Sequence, residues 1–306
     1  MTIISTRELS NVSHARFDSW MTAESVAIEA ELDLLLPTRG PAGLHRMMRY
    51  AALGGGKRLR PLIVLASASA VQGSRSAALR AACAIELMHA ASLVHDDLPC
   101  MDNDDLRRGR PTTHAVFGAA QAVVVGDALQ SLAFELLTPP SGIDPATQGR
   151  LCAILARAAG CAGMAGGQAI DIECTGKQVD LPTLCDMHAR KTGALLRGSV
   201  LLGAACGTPG QRASRALGAY GDAIGLAFQI VDDILDTTQD TATLGKTAGK
   251  DAVMSKATYV TVLGLEQARA RVCEEHRRAR RVLSRSGLED TELLSRLTEK
   301  IVHRIK

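Results

Sequence analysis

The sequence predicts an all-α fold, and three observations favour it. Of the 306 residues, 46% are hydrophobic but only 3% are aromatic, whereas β-sheets are rich in aromatic and β-branched residues. All 10 prolines fall where a helix would begin, end or bend. Between residues 75 and 97, apolar residues recur every three or four positions, which is the helical period.

Prolines and glycine clusters divide the chain into ten predicted helices. They lie near residues 14–35, 42–53, 61–71, 75–97, 113–137, 145–174, 182–205, 210–236, 256–285 and 289–304. No linker or low-complexity tract separates them, so we expect one domain over residues 1–306. The longest predicted loop, 237–251, exceeds the length of about 12 residues above which loops are usually functional or disordered.

Charge, cysteines and hydropathy exclude several classes of protein. A net charge of +3 is too small to indicate a nucleic acid or an anionic membrane as a partner. The 8 cysteines form no CxxC pair, so they indicate neither a zinc site nor a disulfide framework. The first twenty residues contain no apolar stretch, and no apolar run reaches the ~20 residues that span a bilayer. We therefore expect a cytoplasmic protein without stable membrane insertion.

An acidic cluster follows the predicted helix 75–97. Five carboxylates lie within residues 96–105, directly before Arg107 and Arg108. A solvated acidic loop is the ordinary interpretation of such a run, but here the run ends an apolar helix. Asp96 and Asp102 are six residues apart, on different faces of a regular helix. Because Pro99 ends the helix, the chain turns and is expected to bring Asp102 back toward Asp96.

A second acidic cluster, Asp232-Asp233-Ile234-Leu235-Asp236, ends another apolar helix. Asp232 and Asp236 are four residues apart, which places both carboxylates on one helical face. Like charges placed in this way repel each other unless a cation joins them. Ligands that are all oxygens suit Mg²⁺, which shares one or two carboxylates with substrate phosphates.

Several basic segments complement these anions. Glycines that precede Lys and Arg at a helix start allow backbone N–H groups and side chains to converge on phosphate. These segments are Gly54-Gly55-Gly56-Lys57-Arg58-Leu59-Arg60, Arg107-Arg108, Lys191-Thr192-Gly193, Gly245-Lys246 and Lys256. None is a Walker A motif, since Arg58 follows Lys57 and Asp240 stands five residues before Gly245.

His89 has two interpretations. Glu86 and His89 have the spacing of a di-iron carboxylate bundle, but that architecture takes two such motifs and no second one occurs. A histidine on an apolar helix is ordinarily a core residue. Its place on the side that leads to Asp96 also makes it a candidate phosphate ligand.

The sequence closely resembles the short-chain trans-isoprenyl diphosphate synthases, the farnesyl and geranylgeranyl diphosphate synthase family. The resemblance spans most of the chain, and the extra Pro99 and Cys100 in the first acidic motif are similar to the bacterial and plant variants. The matching stretches are 55–61, 96–109, 126–129, 166–168, 191–195, 228–236, 245–246 and 256–259.

This resemblance implies a homodimer of helical bundles of the isoprenoid synthase type, each around a deep apolar pocket, with Mg²⁺ at the pocket mouth. The implied metal ligands, for three Mg²⁺ ions, are Asp96, Asp97, Asp102, Asp232 and Asp236. The implied contacts to the allylic diphosphate are Arg107, Lys191, Lys246 and Lys256, and those to isopentenyl diphosphate are Lys57, Arg60, His89 and Arg108. Thr192 and Gln229 match groups that face the developing carbocation. The implied catalytic set is Asp96, Asp102, Asp232, Lys191, Thr192 and Gln229.

In this family, the length of the product's carbon chain depends on which residues close the bottom of the pocket. Bacterial farnesyl-forming relatives usually carry an aromatic residue five positions before the first aspartate, where this chain has Ala91. That position lies about 7.5 Å down the helix, and alanine leaves it open. Met88 or Phe134 would then form the next floor, which favours a geranylgeranyl product; a farnesyl product is the alternative.

Two further functions resemble this one. A class I terpene cyclase shares the first acidic motif, but its second metal site differs from the Asp-Asp-x-x-Asp present here. A non-catalytic regulatory subunit usually lacks aspartates or basic ligands that this chain retains. We therefore predict an enzyme.

Overall fold

The computed structural model describes residues 6–238 and 257–305 and confirms the predicted all-α fold. Fourteen α-helices are present in this part of the chain: α1 Thr6–Leu35, α2 Leu44–Ala52, α3 Leu59–Ala70, α4 Arg75–Asp96, α5 Thr113–Phe117, α6 Ala119–Leu137, α7 Pro145–Ala159, α8 Met164–Cys174, α9 Leu181–His188, α10 Ala194–Ala205, α11 Gln211–Thr238, α12 Tyr259–Leu263, α13 Leu265–Ser284 and α14 Glu292–Val302. A π-helical segment, Ala189–Gly193, joins α9 to α10, and 3₁₀ turns lie at Pro41–Gly43 and His303–Ile305.

Three of the ten predicted helices are divided in the structure. The predicted helix 113–137 breaks at Gly118 and the predicted helix 256–285 breaks at Gly264, where φ is 91° and 83° respectively. These are left-handed backbone conformations that glycine adopts without strain. The predicted helix 145–174 breaks between Gly160 and Gly163. Each break therefore lies at a glycine that sequence periodicity alone does not distinguish from a helical one.

The helix starts follow the side chains that cap them. Asp144 accepts a hydrogen bond from the Thr147 amide at 3.0 Å at the start of α7. Asp180 accepts one from the Thr183 amide at 2.9 Å at the start of α9. These bonds satisfy amide groups that have no partner within the helix, which explains why both predicted starts lie close to the observed ones.

Helix α4 is the centre of the bundle and packs against α3, α6 and α10. Residues 81–88 are all buried, and four of them are alanine or cysteine, which allows neighbouring helices to approach closely. Two helices in the described part of the chain, α4 and α6, are long and apolar enough to cross a membrane by length and composition. The apolar window of α4 is 72% buried inside the protein and that of α6 only 39%. A place in the core accounts for α4, whereas α6 leaves much of its apolar surface uncovered.

Close glycine contacts fix the π-helical segment Ala189–Gly193. A Cβ atom at Gly167 of α8 would lie 2.1 Å from the amide nitrogen of Lys191, and one at Gly225 of α11 would lie 2.9 Å from the Cα atom of Gly193. Both distances are shorter than van der Waals contact. These contacts therefore determine where Lys191 and Thr192 lie. π-Helical turns occur mostly as local insertions, often at functional sites.

We expect Gly167→Ala to lower the free energy of unfolding by about 1–3 kcal/mol, because the added methyl group overpacks against the Lys191 backbone. Gly149→Ala on α7 is the matched control, since no atom lies within 4 Å of a Cβ placed there; it is expected to add about 0.5–1 kcal/mol. Urea unfolding of both variants measures the two changes, and a shift of the same sign in both would contradict the packing argument.

Candidate active site

A cavity of about 1680 Å³ lies among α3, α4, α6, α8, α10 and α11, larger than the roughly 300–1000 Å³ of ordinary ligand pockets. Its wall contains both charged clusters that the sequence predicts. The charged and ionisable residues that line it include Lys57, Arg60, His89, Asp96, Arg107, Arg108, Lys191 and Asp232. The apolar residues include Leu93, Val123, Phe134, Ala156, Ala159 and Leu195.

The first acidic cluster turns as predicted after Pro99. The Asp102 amide donates a hydrogen bond of 2.9 Å to the Asp96 carbonyl, and the Asn103 amide donates one of 3.0 Å to the Leu98 carbonyl. The two aspartates are therefore neighbours although six residues separate them. Burial raises the pKa of Asp96, and the Asp102 charge raises it further, while Lys191 and Arg107 oppose the shift. Four charges thus interact at this point of the cavity wall.

The structure does not favour Asp97 as a metal ligand. Arg107 donates three hydrogen bonds to its carboxylate: Nε to Oδ1 at 2.8 Å, Nε to Oδ2 at 3.0 Å and Nη2 to Oδ1 at 2.6 Å. Asp97 is only 3% exposed and does not line the cavity. Its carboxylate holds Arg107, which reaches the cavity wall from a short hairpin between Leu106–Arg107 and Arg110–Pro111.

The aspartates of the second acidic cluster also differ in position. Asp232 lines the cavity, whereas Asp236 is 7% exposed and does not. Arg304 contacts Asp232, with 2.8 Å between Nη1 and Oδ1. In the described part of the chain, no three carboxylate, histidine or cysteine side chains form a ready metal site. The carboxylates of these clusters that line the cavity, Asp96 and Asp232, therefore stand on two separate walls, and Asp102 lies beside Asp96.

Four cationic or ionisable side chains form a basic cluster on the cavity wall: Lys57, Arg60, His89 and Arg108. Within the described residues, none of them has a carboxylate within 4.0 Å, and Arg108 donates to the Gly55 carbonyl. Burial lowers the pKa of His89 well below its ordinary value, and the charges of Arg60 and Arg108 lower it further. Burial also lowers the pKa of Arg60 and of Lys57. Partly buried cations without anions are the chemistry of an anion site.

Arg58 has a different role from its two basic neighbours. Its side chain bonds Glu86 and Glu29, each at 2.6 Å, and the Ala52 carbonyl at 2.9 Å. The backbone of Arg58, directly before α3, has a left-handed conformation with φ of 46°. The ion pairs therefore anchor the loop that carries Lys57 to α1 and α4.

Lys191 forms an ion pair of its own, whereas Thr192 and Gln229 belong to a hydrogen-bonded chain. Lys191 Nζ donates to Asp171 at 2.5 Å, and Thr192 Oγ1 donates to Gln229 Oε1 at 2.6 Å. Gln229 Nε2 in turn donates to Asp233 at 2.8 Å. Asp233 also accepts a bond of 2.7 Å from the Tyr259 amide. Lys191 and Thr192 line the cavity, and Gln229 reaches it through Thr192.

Of the three residues predicted to limit the chain length of the product, only one lines the cavity. Phe134 lines the cavity, whereas Ala91 and Met88 are buried and do not. An offset of five residues turns a side chain about 140° away from Asp96, but an offset of four turns it only about 40°. Ser92, four residues before Asp96, accordingly lines the cavity. Lys246 and Lys256 lie outside the described residues.

Sequence reasoning missed Arg304, Lys300 and Asp171. Arg304 and Lys300 line the cavity from the C-terminal end of the described chain, where no local motif marks them. Asp171 lies four residues after Gly167 in the Gly166-Gly167-Gln168 stretch, which places both residues on one helical face. That spacing could have identified Asp171 as a site residue.

Comparison with known proteins identifies the family. The model of the polyprenyl synthetase family matches residues 41–299. The chain is 43% identical over 290 residues to the chloroplastic geranylgeranyl pyrophosphate synthase of Capsicum annuum, covering 94% of this chain and 79% of that protein. It is 48% identical over 265 residues to the farnesyl diphosphate synthase of Escherichia coli, covering 85% and 88%.

A solved structure agrees with these relatives. The geranyltransferase of Helicobacter pylori, whose crystals contain magnesium and isoprenyl diphosphate, superimposes with a TM-score of 0.82 at 32% identity, covering 99% of this chain and 98% of that one. The all-helical fold and these matches define a prenyltransferase. The chain belongs to the polyprenyl synthetase family.

We expect Arg58→Met to lower the free energy of unfolding by about 3 kcal/mol, because it leaves Glu86 buried without its partner. The two side chains are 2% and 5% exposed. Arg58→Met with Glu86→Leu should lose clearly less than the single variant. Arg75→Met, which removes an ion pair whose arginine is 59% exposed, is the control and should change stability by about 1 kcal/mol or less. Equal losses from the two single arginine variants, measured by urea unfolding, would contradict the anchoring role.

Proposed function

We propose that this prenyltransferase condenses isopentenyl diphosphate head-to-tail with allylic diphosphates and forms geranylgeranyl diphosphate. The observation that carries the proposal is the placement, around one large cavity with an apolar wall, of carboxylates and of cations that have no carboxylate partner among the described residues. Two diphosphates and a hydrocarbon chain are the ligands that such a cavity accommodates.

The chemistry follows from the charges. When the allylic C–O bond breaks, its electron pair leaves with the diphosphate, and Lys191 and Arg107 stabilise the charge that develops there. Lys57, Arg60, His89 and Arg108 bind the diphosphate of isopentenyl diphosphate beside the acidic walls. Its double bond then attacks the allylic carbocation to form the new C–C bond, and the released diphosphate accepts the proton that leaves. The Thr192 hydroxyl and Gln229 amide face the cation, and the apolar wall keeps water away.

The donor set fits Mg²⁺. Asp96, Asp102 and Asp232 offer only oxygen atoms, which suit a hard cation that shares its ligands with phosphate. When bound, Mg²⁺ neutralises the leaving diphosphate and so makes ionisation easier. We propose three ions for each active site, as the family resemblance implies.

Two surfaces of the protein support our proposals for the length of the product and for the oligomeric state. Phe134 and Ser92 on the cavity wall are the residues that we assign to chain length. Val124 of α6, which is 48% exposed and does not line the cavity, supports a second copy of this chain packed against that helix. We propose a homodimer of one domain, residues 1–306, in the cytoplasm; the pepper relative, in contrast, is named as chloroplastic.

The first test is incubation of the purified protein with Mg²⁺, isopentenyl diphosphate and, separately, dimethylallyl, geranyl or farnesyl diphosphate. Mass identification of the dephosphorylated products should give geranylgeraniol from all three primers. Asp96→Asn is the matched control and should lower turnover by about 100-fold or more, since it removes a proposed ligand of the Mg²⁺ that would stabilise the leaving diphosphate. Farnesol as the final product would correct the chain length, whereas no product with any primer would favour a non-catalytic subunit.

The chain-length assignment predicts different outcomes for neighbouring residues. Ser92→Phe should shorten the main product from twenty to fifteen carbons, because the ring would enter the cavity. Ala91→Tyr should instead lower thermal stability, because Ala91 is 2% exposed and has no room for a ring. Product analysis and melting curves of both variants separate the two. A fifteen-carbon product from Ala91→Tyr alone would return the floor to Ala91.

A further inference from the structure

The C-terminal 3₁₀ turn His303–Ile305 places a cation on the second acidic wall. Arg304 Nη1 lies 2.8 Å from Asp232 Oδ1, and the two side chains are 27% and 36% exposed. The guanidinium carbon of Arg304 also lies 5.3 Å from the ring centroid of Phe228, one turn before Asp232. Arg304 is therefore held by an ion pair and a cation–π contact that lie side by side on α11.

This contact joins the acidic wall to the basic cluster. Arg60 approaches the same Phe228 ring at 6.0 Å. Burial lowers the pKa of Lys57, and the charges of Arg304 and Lys300 lower it further, while Asp232 opposes the shift. Arg304 thus lies within electrostatic reach of both substrate-binding regions, but its ion-pair partner is the Asp232 carboxylate.

We propose that Arg304 is an internal counter-ion that competes with metal for Asp232. This inference rests on the proposed function, which makes Asp232 a metal ligand. A divalent ion and a guanidinium cannot both bind Asp232 Oδ1 without strong repulsion, since two like charges would lie a few ångströms apart in a partly buried site. Metal binding on this wall therefore displaces Arg304 from the carboxylate.

The displacement couples the metal site to the C-terminal turn. Because coupling between two binding events is reciprocal, removal of the arginine contact must strengthen metal binding by the same factor by which metal weakens that contact. The C-terminal turn consequently holds the second acidic wall in a metal-free state until metal and diphosphate arrive together.

The test measures metal affinity, not turnover. Mn²⁺ is titrated into the full-length protein with saturating inorganic pyrophosphate, and free Mn²⁺ is followed by electron paramagnetic resonance. Arg304→Gln is expected to lower the half-saturating Mn²⁺ concentration by roughly threefold to tenfold, in proportion to the lost contact of a partly exposed ion pair. Arg304→Lys, which keeps the charge but not the planar fork, should lie between Arg304→Gln and the unaltered protein.

Lys300→Gln is the matched control. It also removes a positive charge from the cavity wall and from the surroundings of Lys57, but its side chain does not contact Asp232 within the described residues. It should shift Mn²⁺ affinity by less than Arg304→Gln does. Equal shifts in the two variants, or no shift in Arg304→Gln, would overturn the inference.

Asp232→Asn separates the inference from the proposed function on which it rests. If this variant keeps the Mn²⁺ affinity of the unaltered protein, then Asp232 is not a metal ligand and the proposed function fails at this residue. If it loses affinity while Arg304→Gln changes nothing, then only the competition fails. Melting curves of each variant show that altered binding does not come from unfolding.

Discussion

Charge held beside an apolar cavity is the constraint on which the other features of this protein depend. A carboxylate or a guanidinium that leaves bulk water loses hydration, and it tolerates that loss only with a partner. The acidic side of the cavity meets this requirement internally: Asp97 holds Arg107 and Asp232 holds Arg304. The basic cluster around Arg60 does not. Among the described residues, the basic cluster therefore lacks a carboxylate partner, and a diphosphate has the chemistry to supply the missing anion.

The bundle provides this arrangement through small residues. A Cβ atom at Gly126 of α6 would lie 2.0 Å from His95 Nε2 on α4, and one at Gly167 would meet the Lys191 backbone. Larger side chains would separate the helices that carry the acidic and basic groups. The low aromatic content and the many alanines of α4 serve the same purpose, because small side chains let the helices pack closely around the cavity. Composition and site geometry thus have one physical origin.

Periodicity and capping make most of this fold predictable. The turn that returns Asp102 to Asp96 was also predictable, because Pro99 cannot continue the helix. The breaks at Gly118 and Gly264 were not, since a glycine in a helical pattern is compatible with either conformation until tertiary packing selects one. The same limit explains Ala91. Spacing gives distance along a helix, but which face meets the cavity depends on how α4 packs against its neighbours.

The pairing of side chains far apart in sequence was beyond prediction for a related reason. Arg304 and Asp232 lie on separate elements, and the local sequence around either residue does not predict that the two form an ion pair. Yet such pairs decide how the site behaves. In the proposed competition at Asp232, a substrate that arrives with its metal exchanges the protein's own ion pair for new contacts, so part of its binding free energy is used to release a contact already present. Interactions that form only after this exchange act on the ionising diphosphate and not on the empty cavity, and those are the interactions that accelerate a reaction.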